Sequence, residues 1–373
     1  MKRTVEDSLV LKEIPVEGYE KVVVVTDERS GLKGIICVHN STLGPTLGGI
    51  RIYPYPTFDA ALTDVTRLAR GMTYKSAMAE VGLGGAKSVI MCNPKNKTKE
   101  MLIAFAEAIH RLGGLYTGAE DSGCAVQDVN LIGAHTPYVV GLSQEKSSGN
   151  PSPFTAWGTF RGIQAVLQMI DGSTSLEGKT VAIQGLGSVG ALLAETLFWH
   201  GAKLILSDID WEKTQMIAKK YHATACPTED ILSEKCDVLA PCALGGIINP
   251  DTIPQLRCRA IAGCANNQLL NDQDADELRR RGILYAPDFV INAGGLINVS
   301  YEIEENGYNP ILSRKKVDQL YDQLIRLFEI SEQNNCSTHH AAVALAEYRI
   351  KYGVSKRLVP PRYHHFESAK RHG

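Results

Sequence analysis

The chain has 373 residues, a formal net charge of −2, 44% hydrophobic residues and nine cysteines. Near-neutral charge argues against nucleic acid as the main partner. No apolar run of about 18 residues offers a membrane-spanning helix. The cysteines form no Cys-x-x-Cys pair, so no metal site or disulfide framework is expected, and free thiols fit a reducing, cytoplasmic setting.

Residues 1–14 carry scattered charges and lack the apolar core of a secretory signal. Apolar runs predict strands at 21–26, 34–39 and 49–53, the last ended by Pro54 and Pro56. Helical spacing of Ala61, Leu62, Val65, Leu68 and Ala69 predicts a helix from 58 to 70, with Gly71 as its stop. The glycine-rich stretch 82–87 feeds a strand at 88–92, and a capped amphipathic helix is expected over 98–112. Residues 118–123 read as a strand end and loop. Ser147-Ser148-Gly149-Asn150-Pro151-Ser152-Pro153 has loop chemistry and marks a domain boundary.

Beyond it, a helix is expected over 157–170, and a strand–helix–strand unit starts at Thr180. Short strands follow at 238–240, 260–263 and 283–286. This alternation implies a parallel sheet with right-handed crossovers. Two long helices are expected over 312–333 and 339–351. Residues 354–373, with Pro360-Pro361 and several basic side chains, read as a loosely packed tail.

The run Val181-Ala182-Ile183-Gln184 leads into Gly185-Leu186-Gly187-Ser188-Val189-Gly190 and then a helix. This is a G-x-G-x-x-G turn in the strand–helix context that dinucleotide binding requires. The pyrophosphate of such a cofactor rests on free N–H groups at the helix start. The following strand ends at Asp208, where a carboxylate accepts from ribose hydroxyls and repels a 2′-phosphate, so NAD is expected over NADP.

Two lysines sit beside glycines: Lys75 closes Gly71-Met72-Thr73-Tyr74-Lys75, and Lys87 closes Gly84-Gly85-Ala86-Lys87. The second stretch is not a P-loop, since Ala86 rather than glycine precedes the lysine. Spacing alone leaves both lysines open to reading as surface charges, and Asp121 as a turn residue. The pairs His339-His340 and His364-His365 are read as structural, because adjacent residues do not share a helix face.

Several separated motifs resemble the glutamate/leucine/phenylalanine/valine dehydrogenases. They are Thr46-Leu47-Gly48-Gly49-Ile50-Arg51, the two lysine motifs, Ala119-Glu120-Asp121, Gly149-Asn150-Pro151, Pro241-Cys242-Ala243-Leu244-Gly245, Ala265-Asn266-Asn267-Gln268 and Asn292-Ala293-Gly294-Gly295. Within that family the chain looks most like the leucine enzymes. The resemblance implies two α/β domains. An N-terminal catalytic and oligomerisation domain would span 1–148, and a doubly wound, Rossmann-type NAD-binding domain 149–335. Residues 336–373 would return a helix to the first domain before a basic tail.

The resemblance further implies that Lys75 binds the substrate α-carboxylate, that Lys87 activates water, and that Asp121 shuttles a proton to and from the amino nitrogen. Gly48, Gly49, Met72 and Asn267 would help hold the substrate. Thr155, Cys242, Ala243, Ala262, Asn267 and Asn292 would line the cofactor with the glycine turn. As a base, Lys87 would need its pKa to fall well below the free value of about 10.4.

Glutamate enzymes of the family carry a lysine where this chain has Leu47. An apolar wall of Leu47, Ala119, Leu296 and Val299 therefore implies a branched aliphatic amino acid, oxidised to its 2-oxo acid and ammonia. Phenylalanine or tryptophan is the alternative substrate. A non-catalytic NAD-binding sensor is a third reading, and joint presence of Lys75, Lys87 and Asp121 argues against it. A homo-oligomer, whether octamer, hexamer or dimer, is implied, with no nucleic-acid or membrane partner.

Overall fold

The computed structural model describes residues 8–143, 147–243 and 245–365. They divide into two compact units. Unit 1 comprises Met1–Asn150, Val299–Pro310 and Tyr348–Gly373; unit 2 comprises Pro151–Asn298 and Ile311–Glu347. The chain thus returns to unit 1 twice, at Val299 and at Tyr348, where the sequence suggests one return from 336.

Unit 1 is built on strands β1 (Leu9–Ile14), β2 (Lys21–Asp27), β3 (Leu32–Asn40), β4 (Thr46–Tyr53), β5 (Gly84–Met91) and β6 (Tyr116–Ala119). They form one sheet in the order β1-β2-β3-β5-β4-β6. β4 lies parallel to both β5 and β6, whereas β1, β2, β3 and β5 pair antiparallel in turn. β1 is not anticipated by the sequence reading, because its Lys12 and Glu13 interrupt the apolar pattern. It pairs along its whole length with β2 and buries Leu9.

Helix α1 (Phe58–Ala79) covers one face of this sheet, and α2 (Lys99–Arg111) with α3 (Val126–Gly133) the other. Thr57 and Thr98 cap α1 and α2 by accepting from Ala60 and Met101 N–H. Gly71 does not stop α1, contrary to expectation. The helix runs on for two turns because its later face, Thr73, Ser76, Ala77, Met78 and Ala79, is buried. At Gly85 the backbone of Thr73 comes so close that a Cβ would lie 2.0 Å from its nitrogen. Packing outweighs the roughly 1 kcal/mol helix penalty of one glycine.

Unit 2 holds a second sheet of β7 (Thr180–Gln184), β8 (Lys203–Ser207), β9 (Thr224–Ala225), β10 (Cys236–Pro241), β11 (Cys258–Ile261) and β12 (Leu284–Tyr285). All pairs are parallel, in the order β12-β11-β10-β7-β8-β9. Counted within the unit this is 3-2-1-4-5-6, the doubly wound dinucleotide-binding arrangement, with its switch point between β7 and β10. Unit 2 also holds α4 (Ser152–Asp171), α5 (Ser188–Trp199), α6 (Trp211–Tyr221), α7 (Asp274–Arg280), α8 (Asp288–Ile291) and α11 (Leu320–Gln333), while α9 (Gly294–Ser300), α10 (Pro310–Asp318) and α12 (Thr338–Tyr352) cross between the units. The single helix expected over 312–333 is two helices, α10 and α11, divided at Gln319.

Residues 354–365 are largely exposed, as the reading of a loosely packed tail expects, but they are anchored at two points. Arg357 N donates to Leu43 O at 2.8 Å, and its side chain, 8% exposed, pairs with Glu304. Tyr363 OH hydrogen-bonds Thr117 Oγ1 at 2.7 Å and its ring meets Tyr138 edge-on. Residues 366–373 of that tail lie outside the described residues. Among the described residues no helix is long and apolar enough to cross a membrane.

Candidate active site

Alternation along β4, β5 and β6 sorts the first unit into a chemical face and a core face. Ile50, Ile52, Ala86, Ile90 and Tyr116 join the apolar cluster on the α2 side. Leu47, Gly49, Arg51, Gly85, Lys87 and Ala119 alternate with them and turn to the α1 side. The register pairs Leu47 with Gly85, Ile50 with Ser88, and Gly49 with Ala119. Gly49 therefore sits level with Lys87 on one neighbour and just before Asp121 on the other.

Lys87 reaches across the intervening strand to Asp121, Nζ to Oδ2 at 2.8 Å. Only glycine at 49 permits this, since a Cβ there would lie 2.7 Å from Asp121 Cβ and 3.1 Å from Lys87 Nζ. Gly48 is equally constrained: a Cβ would fall 1.7 Å from Ala86 O. Its carbonyl accepts from the buried Tyr116 hydroxyl at 2.8 Å.

Asp121 is also held by Arg51, Nε to Oδ2 at 3.2 Å, and Arg51 Nη1 donates to Asp64 Oδ2 at 2.9 Å. Tyr55 OH donates to the same oxygen of Asp64. Burial opposes charge on Asp121, yet Lys87 and Arg51 outweigh it and hold its carboxyl below the usual range. Glu120 beside it is pushed up, by burial and then by Asp121. The loop after β6 is fixed by reciprocal bonds between Asp121 and Cys124, and Ile52 N donates to Ser122 O at 2.9 Å. Arg51, Tyr55 and Asp64 have no role in the sequence reading. Only the inclusion of Arg51 in the Leu47–Arg51 motif hinted at it.

Lys75 stands on α1, two residues past the close contact of Thr73 with Gly85. The carbonyls of Ala77 and Met78 at the end of that helix accept from Arg349 Nη1 at 3.1 and 2.9 Å, and Arg349 Nη2 pairs with Glu80 at 2.6 Å. Leu47, Ala119 and Val299 are buried and apolar, and Met72 is half-buried. All belong to unit 1, whereas Asn267 and Leu296 belong to unit 2.

In unit 2 the glycines of the β7–α5 turn have three distinct surroundings. Gly185 adopts φ +97°, a left-handed conformation. Gly187 has nothing within 4 Å of a notional Cβ, and Gly190 would put one 2.0 Å from Gly185 O. Leu186 between them is buried, while Ser188 and half-buried Val189 open α5, whose N-cap Gly187 provides no side-chain bond to the helix start.

Asp208 is half-buried at the end of β8. Its Oδ2 accepts from Leu186 N at 2.6 Å and its Oδ1 from Asp210 N at 3.0 Å. Burial opposes its charge, and those backbone donors with Lys213 prevail, holding its carboxyl low. Cys242 and Ala243 follow β10 beside Gly185, and Ala262 N donates to Leu239 O at 2.9 Å. Leu244, read with them, lies outside the described residues. A hydrogen bond from Cys264 lowers the Cys242 thiol against burial.

Asn292 Nδ2 donates to Cys264 O at 3.1 Å and Asn266 Oδ1 at 2.8 Å. Its Oδ1, like Gln184 Oε1 and Ser207 Oγ, is buried with no protein partner. Thr155 on α4 packs against Gly295, where a Cβ would lie 2.8 Å from its Oγ1. Asn267 takes the left-handed φ of 52°. His339 instead pairs with Asp272 at 3.1 Å, and burial pushes His365 down to about 4.

Comparison with known proteins accords with this geometry. Residues 19–138 match the family model for the Glu/Leu/Phe/Val dehydrogenase dimerisation domain, and residues 205–352 that for Glutamate/Leucine/Phenylalanine/Valine dehydrogenase. The leucine dehydrogenase of Geobacillus stearothermophilus is 47% identical over 335 residues, covering 89% of this chain and 91% of that protein. The L-tryptophan dehydrogenase of Nostoc punctiforme is 43% identical over 334 residues, 89% of this chain and 94% of that one. The crystal structure of L-tryptophan dehydrogenase from Nostoc punctiforme superposes with a TM-score of 0.78 at 42% identity, covering 90% of this chain and 97% of that one. The chain is an amino-acid dehydrogenase and belongs to the glutamate/leucine/phenylalanine/valine dehydrogenase family.

Proposed function

We propose that the protein oxidises branched aliphatic L-amino acids (leucine, valine and isoleucine) with NAD, releasing the 2-oxo acid and ammonia reversibly. The observation that carries this reading is the Lys87–Asp121 pair, 2.8 Å apart across Gly49, on the same sheet face as buried Leu47. NAD supplies a hydride acceptor when bound. Gly185, Leu186, Gly187, Ser188, Val189 and Gly190 would hold its pyrophosphate, and Asp208 its ribose. Thr155, Cys242, Ala243, Ala262 and Asn292 would line the remainder. The open space at Gly187 and the unpartnered oxygen of Asn292 fit that role.

Lys75 would hold the substrate carboxylate, with Gly48, Gly49, Met72 and Asn267 shaping the position of its Cα. Asp121 would take a proton from the substrate nitrogen as the C–N bond gains double-bond character. Lys87, once neutral, would accept a proton from water as its oxygen adds to the iminium carbon. Asp121 would then return a proton to the nitrogen, and as the C–N bond breaks and ammonia leaves, the hydroxyl gives its proton to the freed Asp121 carboxylate and becomes the carbonyl of the 2-oxo acid.

Leu47, Ala119, Leu296 and Val299 favour an aliphatic side chain, and the leucine dehydrogenase relative supports leucine. The tryptophan dehydrogenase relative supports an aromatic substrate as the second reading. The dimerisation-domain match supports a homo-oligomer, and nine cysteines, all free, suit a reducing cytosol.

The test is reduced-cofactor absorbance with a panel of L-amino acids and both cofactors. Leucine, valine and isoleucine should turn over fastest, and best with NAD. Faster turnover of phenylalanine or tryptophan would move the substrate to the second reading, and no turnover at all would refute the enzyme reading.

Asp208→Ser should lower the kcat/KM ratio of NAD to NADP by about tenfold or more, because it removes a carboxylate that a 2′-phosphate must otherwise approach. An unchanged ratio would show that Asp208 does not set the cofactor choice.

A further inference from the structure

Two cations grip Asp121 at the same oxygen, Oδ2: Lys87 Nζ at 2.8 Å and Arg51 Nε at 3.2 Å. Their chemistry differs. An ammonium that serves as a base spends part of the cycle neutral, whereas a guanidinium stays protonated in proteins. Whenever Lys87 is neutral, half of the charge holding Asp121 disappears. The Asp121 side chain is only 17% exposed. A carboxylate so enclosed and stripped of its cations would bind a proton and lose its capacity to accept one from substrate.

We propose that Arg51 is a positioning residue that keeps Asp121 ionised while Lys87 is neutral. The proposal rests on the roles given above to Lys87 and Asp121. It separates the two titrating groups: the state of Asp121 no longer follows that of Lys87.

The surroundings of Arg51 fit this task. Its Nη1 donates to Asp64 Oδ2 at 2.9 Å while Nε faces Asp121, so one planar group bridges two carboxylates. Tyr55 OH binds the same Asp64 oxygen and fixes the outer end. Asp64 comes from α1, the helix that also carries Lys75. A lysine at 51 would supply charge but could not span both partners in one plane. Among the described influences on Asp121 the cations are Lys87 and Arg51. Tyr116 and Cys124 are pushed up by burial, the thiol to about 12, and stay neutral. Glu120 is also pushed up, first by burial.

The sign of the effect follows. Lys87 and Arg51 lower the Asp121 carboxyl against burial, so losing Arg51 raises it. Full deprotonation of the Lys87–Asp121 pair, which the acid limb of the kcat/KM–pH profile reports, must then move to higher pH. The experiment compares wild type, Arg51→Gln, Arg51→Lys and Lys87→Ala. It records pH profiles with the best amino acid of the panel, NAD affinity by fluorescence titration, and folding by circular dichroism.

In Arg51→Gln the acid limb should rise by about one pH unit or more, with NAD affinity unchanged, and Arg51→Lys should recover part of the shift. An unmoved acid limb in folded Arg51→Gln overturns the proposal. So does an equal loss of activity at every pH, which is the mark of a structural role alone. If Arg51→Gln fails to fold, Arg51→Lys carries the test, with a smaller shift of the same sign expected and none overturning it. Wild-type turnover in Lys87→Ala would instead refute the underlying roles, so the two failures are distinguishable.

Discussion

Lys87→Ala is expected to lower kcat for amino-acid oxidation by about two to four orders of magnitude and to leave NAD affinity at its wild-type value. The two readouts separate because Lys87 lies in unit 1 and the glycine turn in unit 2. The variant should still fold. Asp121 keeps its ion pair with Arg51, so truncation does not strand a buried carboxylate. What goes is the amine held 2.8 Å from that carboxylate, with no other described lysine paired to it. Rapid-mixing measurement of reduced-cofactor formation, with NAD titration on the same preparation, checks the result. Normal turnover would remove Lys87 from the base role.

Gly190→Ala should abolish NAD binding and lower Tm, because the helix that begins at Ser188 cannot approach β7 with a methyl group in the way. The added carbon would fall 2.0 Å from Gly185 O, a backbone atom with no room to retreat: Gly185 N is itself bonded to Ser207 O at 2.7 Å. Overpacking of this kind costs about 1–3 kcal/mol even where neighbours are flexible side chains. Gly187→Ala is the matched control. A Cβ there meets nothing within 4 Å of the protein, so its Tm should stay unchanged. Calorimetry and NAD titration of both variants decide the matter. A wild-type Tm in Gly190→Ala would mean that the turn does not need its third glycine.

The Rossmann turn was legible because its parts are consecutive: a buried strand, three glycines and a helix within about twenty residues of Asp208. Thr98 as a cap was legible for the same reason, since it accepts from an N–H three residues away. The chemical pair was not legible from spacing. Lys87 and Asp121 meet because β4 lies between β5 and β6, out of chain order, and because Gly49 has no side chain. Family resemblance supplied their roles, but it gave none to Arg51, whose partners Asp64 and Tyr55 depend on how α1 crosses the sheet.

The failures share a cause. Gly71 and the segment around Pro360-Pro361 carry local signals for a break and a loose end. Long-range packing overrode the first, through buried Thr73 and Ser76–Ala79, and anchored the second at Arg357 and Tyr363. β1 failed in the opposite sense: its mixed polar text gave little local signal, and pairing with β2 supplied the order.

The late return of the chain to unit 1 has a consequence for biosynthesis. The residues that secure the end of α1 and the Leu43 loop, Arg349 and Arg357, are translated long after the sheet they brace. At about 5–20 residues per second, the ribosome needs roughly ten to forty seconds to go from Asn150 to Tyr348. During that interval the first sheet waits with its final contacts unmade while unit 2 emerges. Nascent chains arrested short of Tyr348 should therefore be cut by protease at the end of α1 and in the Leu43 loop, and become resistant there only after synthesis passes Arg357.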